Sequence, residues 1–231
     1  MYPFIKRFFD FLISLLAILL LAPILIPIVI GLKLTGEGYV FYYQKRVGFK
    51  NQLFDIWKFA TMLKDSPNLP GGIITMKKDT RITPMGGFLR KTKINELPQL
   101  FNVLKGDMSF VGPRPVMEKS FAQYPHEVKQ VIYNVNPGIT GIGSLIFRNE
   151  EELITNHKDA GGDPWEFYKN VIYPYKGKVE YWYQQNQSFL TDLKILVFTG
   201  LSIFFPDNNI AFKVFKGLPP KPAALVEPPF K

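Results

Sequence analysis

The sequence predicts a mixed α+β chain, mostly α, held to a membrane by its N-terminus. Three observations carry that expectation: an uncharged apolar run from Phe11 to Leu32, an aromatic hairpin pattern from Tyr39 to Met62, and a helical apolar repeat after residue 95. The 231 residues allow one domain with a small appendage. Apolar residues make up 47% of the chain and aromatic residues 15%, which excludes a disordered chain.

The first element is "FLISLLAILLLAPILIPIVIGL", 22 residues without a charge. That is long enough to cross a bilayer core. No small-x-small site follows it, which argues against a cleaved signal peptide. Pro23 and Pro27 lie inside the run. Each removes a backbone donor and crowds the preceding turn, so a helix break is expected at Ala22–Pro23. Lys6 and Arg7 precede the run, and Lys33, Lys45 and Arg46 follow it. A spanning helix normally carries its basic excess on one side. The preferred reading is therefore a re-entrant helix-break-helix with both ends facing the cytosol. A single spanning helix is the alternative.

Next, "YVFYYQKRVGFKNQLFDIWKFATM" predicts a β-hairpin that turns around Gly48 to Gln52. "KDSPNLPGG" is expected to be a loop. Leu97, Leu100, Phe101 and Leu104 fall at i, i+3, i+4 and i+7, which predicts an amphipathic helix. Pro98 is tolerated in its first turn, Gly106 closes it, and Asn95 falls at or next to its N-cap. "SFAQYPHEVKQVIYNV" is helical in its later part, "NPGITGIGSL" is a turn with a short extended piece, and the aromatic stretch beyond it holds helical pieces. "FLTDLKILVFTGLSIFF" is apolar but carries Asp192 and Lys194, so it is a buried helix or one lying in the membrane interface. "GLPPKPAALVEPPFK" is a Pro-rich, extended or mobile tail. These readings divide the chain into a membrane segment (1–36), a cytosol-facing domain (37–206) and the tail (207–231).

The net charge of +9 calls for an anionic partner. No nucleic-acid motif is present, and membrane lipids explain the charge more simply, so no nucleic acid is expected. There is no cysteine, and His126 and His157 are far apart, which leaves little for zinc. Any metal must be held by carboxylates, which points to Mg²⁺.

The chemistry concentrates in "KTKINELPQLFNVLKGDMSFVGPRP", residues 91–115. A helix N-terminus attracts phosphate through its free N–H groups and partial charge. Arg90, Lys91, Lys93, Arg114 and Lys58 supply full charges nearby in sequence, and Glu96 sits among them. A carboxylate in that setting suits Mg²⁺ bridging to a diphosphate. A first-turn glutamate that merely compensates the helix dipole explains Glu96 equally well on this chemistry alone.

The motifs add a resemblance. "KRFFD", "YYQKRVG", "DIWKFATM", "RITPMGGFLRKT", "NELPQLFNVLKGDMSFVGPRP", "PGITG" and "DLKIL" follow one another over about residues 4 to 205. In order and content they resemble the small monotopic phosphoglycosyl transferases, the bacterial sugar transferase family. The resemblance implies transfer of a sugar phosphate from a UDP-sugar to a polyprenyl phosphate such as undecaprenyl phosphate, the first membrane step of many bacterial surface glycans. It implies a mostly helical fold with amphipathic helices at the cytoplasmic face of the bacterial inner membrane, a monotopic placement, and Mg²⁺. It assigns Glu96 as a catalytic and metal residue. Arg90 and Arg114 become substrate-binding residues, joined by Lys58 and, more loosely, Asp192. Pro23 becomes the helix break, and Lys6, Arg7 and Asp10 the membrane-entry motif. Ala22 replaces a serine often found there, and Ala60 an arginine.

The larger departure is Asn95, which stands where the family carries its nucleophilic aspartate. Asn and Asp cap helices about equally well, so folding should tolerate the change. A neutral amide is a poor nucleophile and a weaker Mg²⁺ ligand. Glu96 could replace it as nucleophile, or the polyprenyl phosphate could attack directly while Asn95 orients a phosphate. The asparagine could also be an engineered trap, or mark a catalytically impaired member that serves as a membrane scaffold or nucleotide-sugar binder. An active enzyme is preferred, because Glu96, the basic residues and the membrane segment are all retained. The sugar is not encoded in any motif. The oligomeric state is not legible either, and a homodimer is compatible with the sequence.

Overall fold

A computed structural model describes residues 2–35, 37–66, 68, 79–205 and 210–225. Much of the loop expected after Met62, and residues 207–209 and 226–231 of the tail, lie outside the described residues. The chain forms two compact units. The first comprises Pro3–Lys45 and Phe54–Met108; the second comprises Arg46–Leu53 and Ser109–Lys231, with Tyr2.

In the first unit, helix α1 runs over Tyr2–Leu34 with Pro23 and Pro27 inside it. The break expected at Ala22–Pro23 is therefore not a loss of helical structure. A proline forfeits one backbone bond and one clash-free carbonyl, and the flanking turns hold the helix together around it. At 1.5 Å per residue the helix is about 50 Å long, beyond the ~30 Å hydrocarbon core. Most of its apolar side chains are exposed, among them Phe4, Leu16, Leu20 and Ile26. It is the one helix among the described residues long and apolar enough to cross a membrane. That much bare apolar surface points to membrane association.

The C-terminal end of α1 has a protein partner. Ile28 and Leu32 pack with Phe59 and Leu89, and Leu25, Met85, Phe41 and Ile94 surround them. Phe59 comes from the hairpin of β1 (Phe41–Val47) and β2 (Leu53–Phe59), which turns where the sequence predicts. Leu89 comes from α2 (Pro84–Lys91), whose Thr83 cap accepts from the Gly86 N–H at 3.1 Å. Helix α3 (Gln99–Lys105) ends on Gly106 at φ 99°, a conformation that suits glycine. At the same end, the Arg7 guanidinium of α1 donates to the Val103 and Leu104 carbonyls at 2.6 and 2.8 Å. A cation on unsatisfied C-terminal carbonyls is a favourable cap.

The second unit is built around a parallel pair, β3 (Ser109–Val111) and β4 (Gly138–Thr140). Ser109 pairs with Gly138 and Val111 with Thr140. No strand is expected at β3 from the sequence alone. Helices α4 (Glu118–Phe121), α5 (His126–Val131), α6 (Ile142–Ile146), α7 (Glu150–Asp159) and α8 (Pro164–Phe167) follow. Then come α9 (Tyr173–Asn186) and α10 (Phe189–Phe204). Between α8 and α9 the chain widens into a π segment, Tyr168–Ile172. Pro174 explains it: its ring collides with the carbonyl four residues back, which the wider turn relieves.

The core here joins Ile142, Ile146, Ile172, Val179, Tyr183 and Ile195. Helix α10 turns Ile195 and Asp192 inward and leaves Phe189, Leu193, Val197 and Leu201 exposed, so it is half buried and half apolar surface. The expected free tail is docked as far as it is described. Helix α11 (Ile210–Val214) buries Ala211, and Phe215 and Leu225 join the core.

Candidate active site

Glu96 lies in the first unit, in a 3₁₀ turn formed by Ile94–Glu96. Lys93 enters that turn at φ 60°. Helix α3 starts three residues later, capped by Pro98. Asn95 is thus not the helix cap that the sequence suggests. The N–H groups expected to await a phosphate are largely taken by short-range bonds. Glu96 donates to Lys93 O, Leu97 to Ile94 O, Leu100 to Leu97 O and Phe101 to Pro98 O, at 3.0–3.1 Å. At this turn an anion would therefore have to be met by side chains.

Those side chains converge. Lys58, on β2, places its Nζ 2.8 Å from Glu96 Oε1. Both side chains are about one-fifth exposed, so solvent reaches one side of the pair. Beside it, Asn95 is buried, and its Oδ1 has no hydrogen-bond partner. An orphaned buried carbonyl oxygen is costly and needs a donor or a cation. No group of three His, Asp, Glu or Cys that could hold a metal occurs among the described residues. Mg²⁺ commonly takes only one or two protein oxygens, with phosphates and water completing its shell. One carboxylate and one unpartnered amide oxygen fit that kind of site.

Arg90 lies in the last turn of α2, and its carbonyl accepts from the Lys93 N–H at 3.1 Å. Its charge acts on Asp79, although the nearer Arg81 dominates there. The Arg81 side-chain hydrogen bonds hold the Asp79 carboxyl down to about 2.

Arg114 and Asp192 belong to the second unit. Arg114 is exposed, while its backbone is gripped from both sides. The Tyr133 hydroxyl donates to Arg114 O at 2.8 Å, and the Arg114 N–H points at Glu180 Oε1 at 3.5 Å. The Val116 N–H also donates to the Tyr133 oxygen. An exposed guanidinium on a fixed backbone is suited to meeting an anion. Asp192 is buried, and its Oδ1 accepts from the Tyr183 hydroxyl at 2.7 Å. That geometry makes it a packing partner of the core helix.

Sequence reasoning missed Glu180 and Tyr133. Burial raises the Glu180 carboxyl to about 7, against the pull of the Arg114 N–H and the Lys176 and Arg114 charges. Its Oε2 is buried without a partner. A signal was available: Glu180 lies on the α9 face that also carries Tyr173, Val179 and Tyr183, where a solvated glutamate has no place.

A family model described as bacterial sugar transferase matches residues 1–206. The undecaprenyl-phosphate glucose phosphotransferase of Komagataeibacter xylinus is 43% identical over 155 residues, 65% of this chain and 29% of that protein. The undecaprenyl-phosphate galactose phosphotransferase of Salmonella typhimurium is 32% identical over 220 residues, 89% of this chain and 41% of that one. The UDP-glucose:undecaprenyl-phosphate glucose-1-phosphate transferase of Klebsiella pneumoniae is 39% identical over 142 residues, 61% of this chain and 30% of that one. The chain thus spans between 29% and 41% of the length of these relatives.

Proposed function

The chain belongs to the bacterial sugar transferase family, and from that premise we propose that it transfers a sugar phosphate from a UDP-sugar to a polyprenyl phosphate at the cytoplasmic face of a bacterial inner membrane. The observation that carries this reading is the Lys58–Glu96 pair beside the orphaned Asn95 oxygen. Undecaprenyl phosphate appears in the names of all three relatives, and a UDP-sugar in one. Two of the names give glucose and one galactose, so the sugar of this chain is left open.

An oxygen of the polyprenyl phosphate attacks the sugar-bearing phosphorus, the bond from that phosphorus to the bridging oxygen breaks, and UMP leaves. The products are a polyprenyl diphosphate sugar and UMP. Glu96 and Asn95 Oδ1 would hold Mg²⁺, which when bound neutralises diphosphate charge and eases departure of the leaving phosphate. Lys58 holds the Glu96 carboxylate in place and adds positive charge. The Asn95 amide N–H groups orient a phosphate oxygen. A side-chain amide cannot form a stable acyl phosphate, so no adduct forms on residue 95. Arg114 holds a phosphate of the nucleotide sugar. Helix α1 enters the bilayer, bends at Pro23 and returns, which leaves the protein monotopic.

The test is UMP release from a panel of UDP-sugars with Mg²⁺ and undecaprenyl phosphate, using the full chain in nanodiscs. Wild type should release UMP, Glu96→Gln should lose at least about 100-fold, and Asn95→Asp should be no less active. Without polyprenyl phosphate, the mass of the Asn95 peptide should stay unchanged. Equal rates in wild type and Glu96→Gln would remove Glu96 from the mechanism. A second reading, an impaired member that acts as a scaffold, rests on Asn95 itself. Activity that appears only in Asn95→Asp would favour it.

A further inference from the structure

Asn102 is fully buried in α3, and the mechanism above gives it no part. Its side chain reaches β2. Asn102 Oδ1 accepts from the Trp57 N–H at 2.9 Å, and Nδ2 donates to the Asp55 carbonyl at 2.8 Å. Nδ2 also faces Asp107 Oδ2 at 3.4 Å. The main-chain carbonyl of the same residue accepts from Gly106, Asp107 and Met108 at 3.0, 2.9 and 3.2 Å, which closes the helix.

Asp55 and Trp57 are two apart on a strand, so their backbone groups share one edge. The carboxamide therefore pairs with β2 as a neighbouring strand residue would. Lys58 follows Trp57 directly, and Glu96 stands just before the helix that carries Asn102. We propose that Asn102 is a positioning residue whose carboxamide fixes the register between β2 and α3 and so sets Lys58 opposite Glu96. Sliding the strand by one residue would turn Lys58 to the other face and abolish the 2.8 Å pair. Few side chains can take this place. An ionised aspartate accepts from Trp57 but cannot donate to Asp55, and leucine does neither.

Only the activity arm of this inference rests on the transferase reading. The deciting measurement needs no turnover: acylation of Lys58 by an amine-reactive ester in the full chain in nanodiscs, read by peptide mass spectrometry. Wild type should label slowly. N102D should label several-fold faster, because its carboxylate cannot donate to the Asp55 carbonyl. UMP release should follow the same course. N102D should lose about tenfold or more, and the loss should be sub-additive with K58M. A merely structural role would not produce coupling to Lys58. If N102D does not fold, N102S serves, with Lys58 labelling faster than in wild type. Unchanged Lys58 labelling in the folded variant would overturn the proposal, whatever the turnover. An inactive wild type would count against the transferase reading, and the labelling would still decide the place of Asn102.

Discussion

Glu180 shows how a single residue ties the stability of this protein to pH. Its carboxyl is buried against the Arg114 N–H and titrates near 7, against 4.5 for an ordinary glutamate. Between those values the unfolded chain has released its proton and the folded chain has kept it. Stability therefore falls as pH rises from about 4.5 to about 7, then levels off, with a total loss of about 3 kcal/mol. Glu180→Gln supplies a neutral side chain of the same shape. Its stability relative to wild type should grow with pH across that window and be flat above it, as read by thermal melts of the detergent-solubilised chain. A constant difference from pH 4.5 to 8 would show that Glu180 is not protonated in the fold. At this scale the sequence was legible only in part. Glu96, Lys58 and Arg114 stood out because charge clustered around one motif, and the first two do meet. Glu180 and Asn102 were not found, because a polar residue within an amphipathic helix is first assumed to face water. Only its place on the apolar stripe says otherwise.

At the scale of elements, the short parallel pair β3–β4 supports the Arg114 turn through bare backbone contact. A Cβ on Gly138 would lie 2.1 Å from Gly112 N, and one on Gly112 would lie 2.4 Å from Asn136 O. No side-chain shift relieves a clash with backbone. Gly138→Ala should cost about 3 kcal/mol or more, with loss of UMP release. A wild-type melting temperature for this variant would refute the close approach. The "VGPRP" and "PGITG" motifs thus have a structural meaning that spacing alone did not reveal, because the pairing joins segments some thirty residues apart. The hairpin was legible because both arms and the turn are local. Helix α3 was legible in its apolar face and misread at its start, where 3₁₀ bonds consume the donors that an α-helix would leave free.

At the scale of the whole molecule, the uncharged run from Phe11 to Leu32 pointed to membrane association, and α1 carries the apolar surface to match. Its course through the bilayer depends on lipid as well as chain, which is why proline placement pointed to a break that helical structure spans. With basic residues on both flanks, both ends should face the cytosol. Single cysteines at Phe4 and Lys64 should resist an impermeant maleimide in intact bacteria and react once the cells are permeabilised. Labelling at Phe4 in intact cells would establish a spanning helix instead. The central claim is that the group transferred is a sugar phosphate, and one label follows it directly. With a UDP-sugar radiolabelled at the sugar-bearing phosphorus, Mg²⁺ and undecaprenyl phosphate, the label should pass into the organic phase for wild type and stay in water for Glu96→Gln. Label that stays in the aqueous phase with wild type for every UDP-sugar tried would contradict the account.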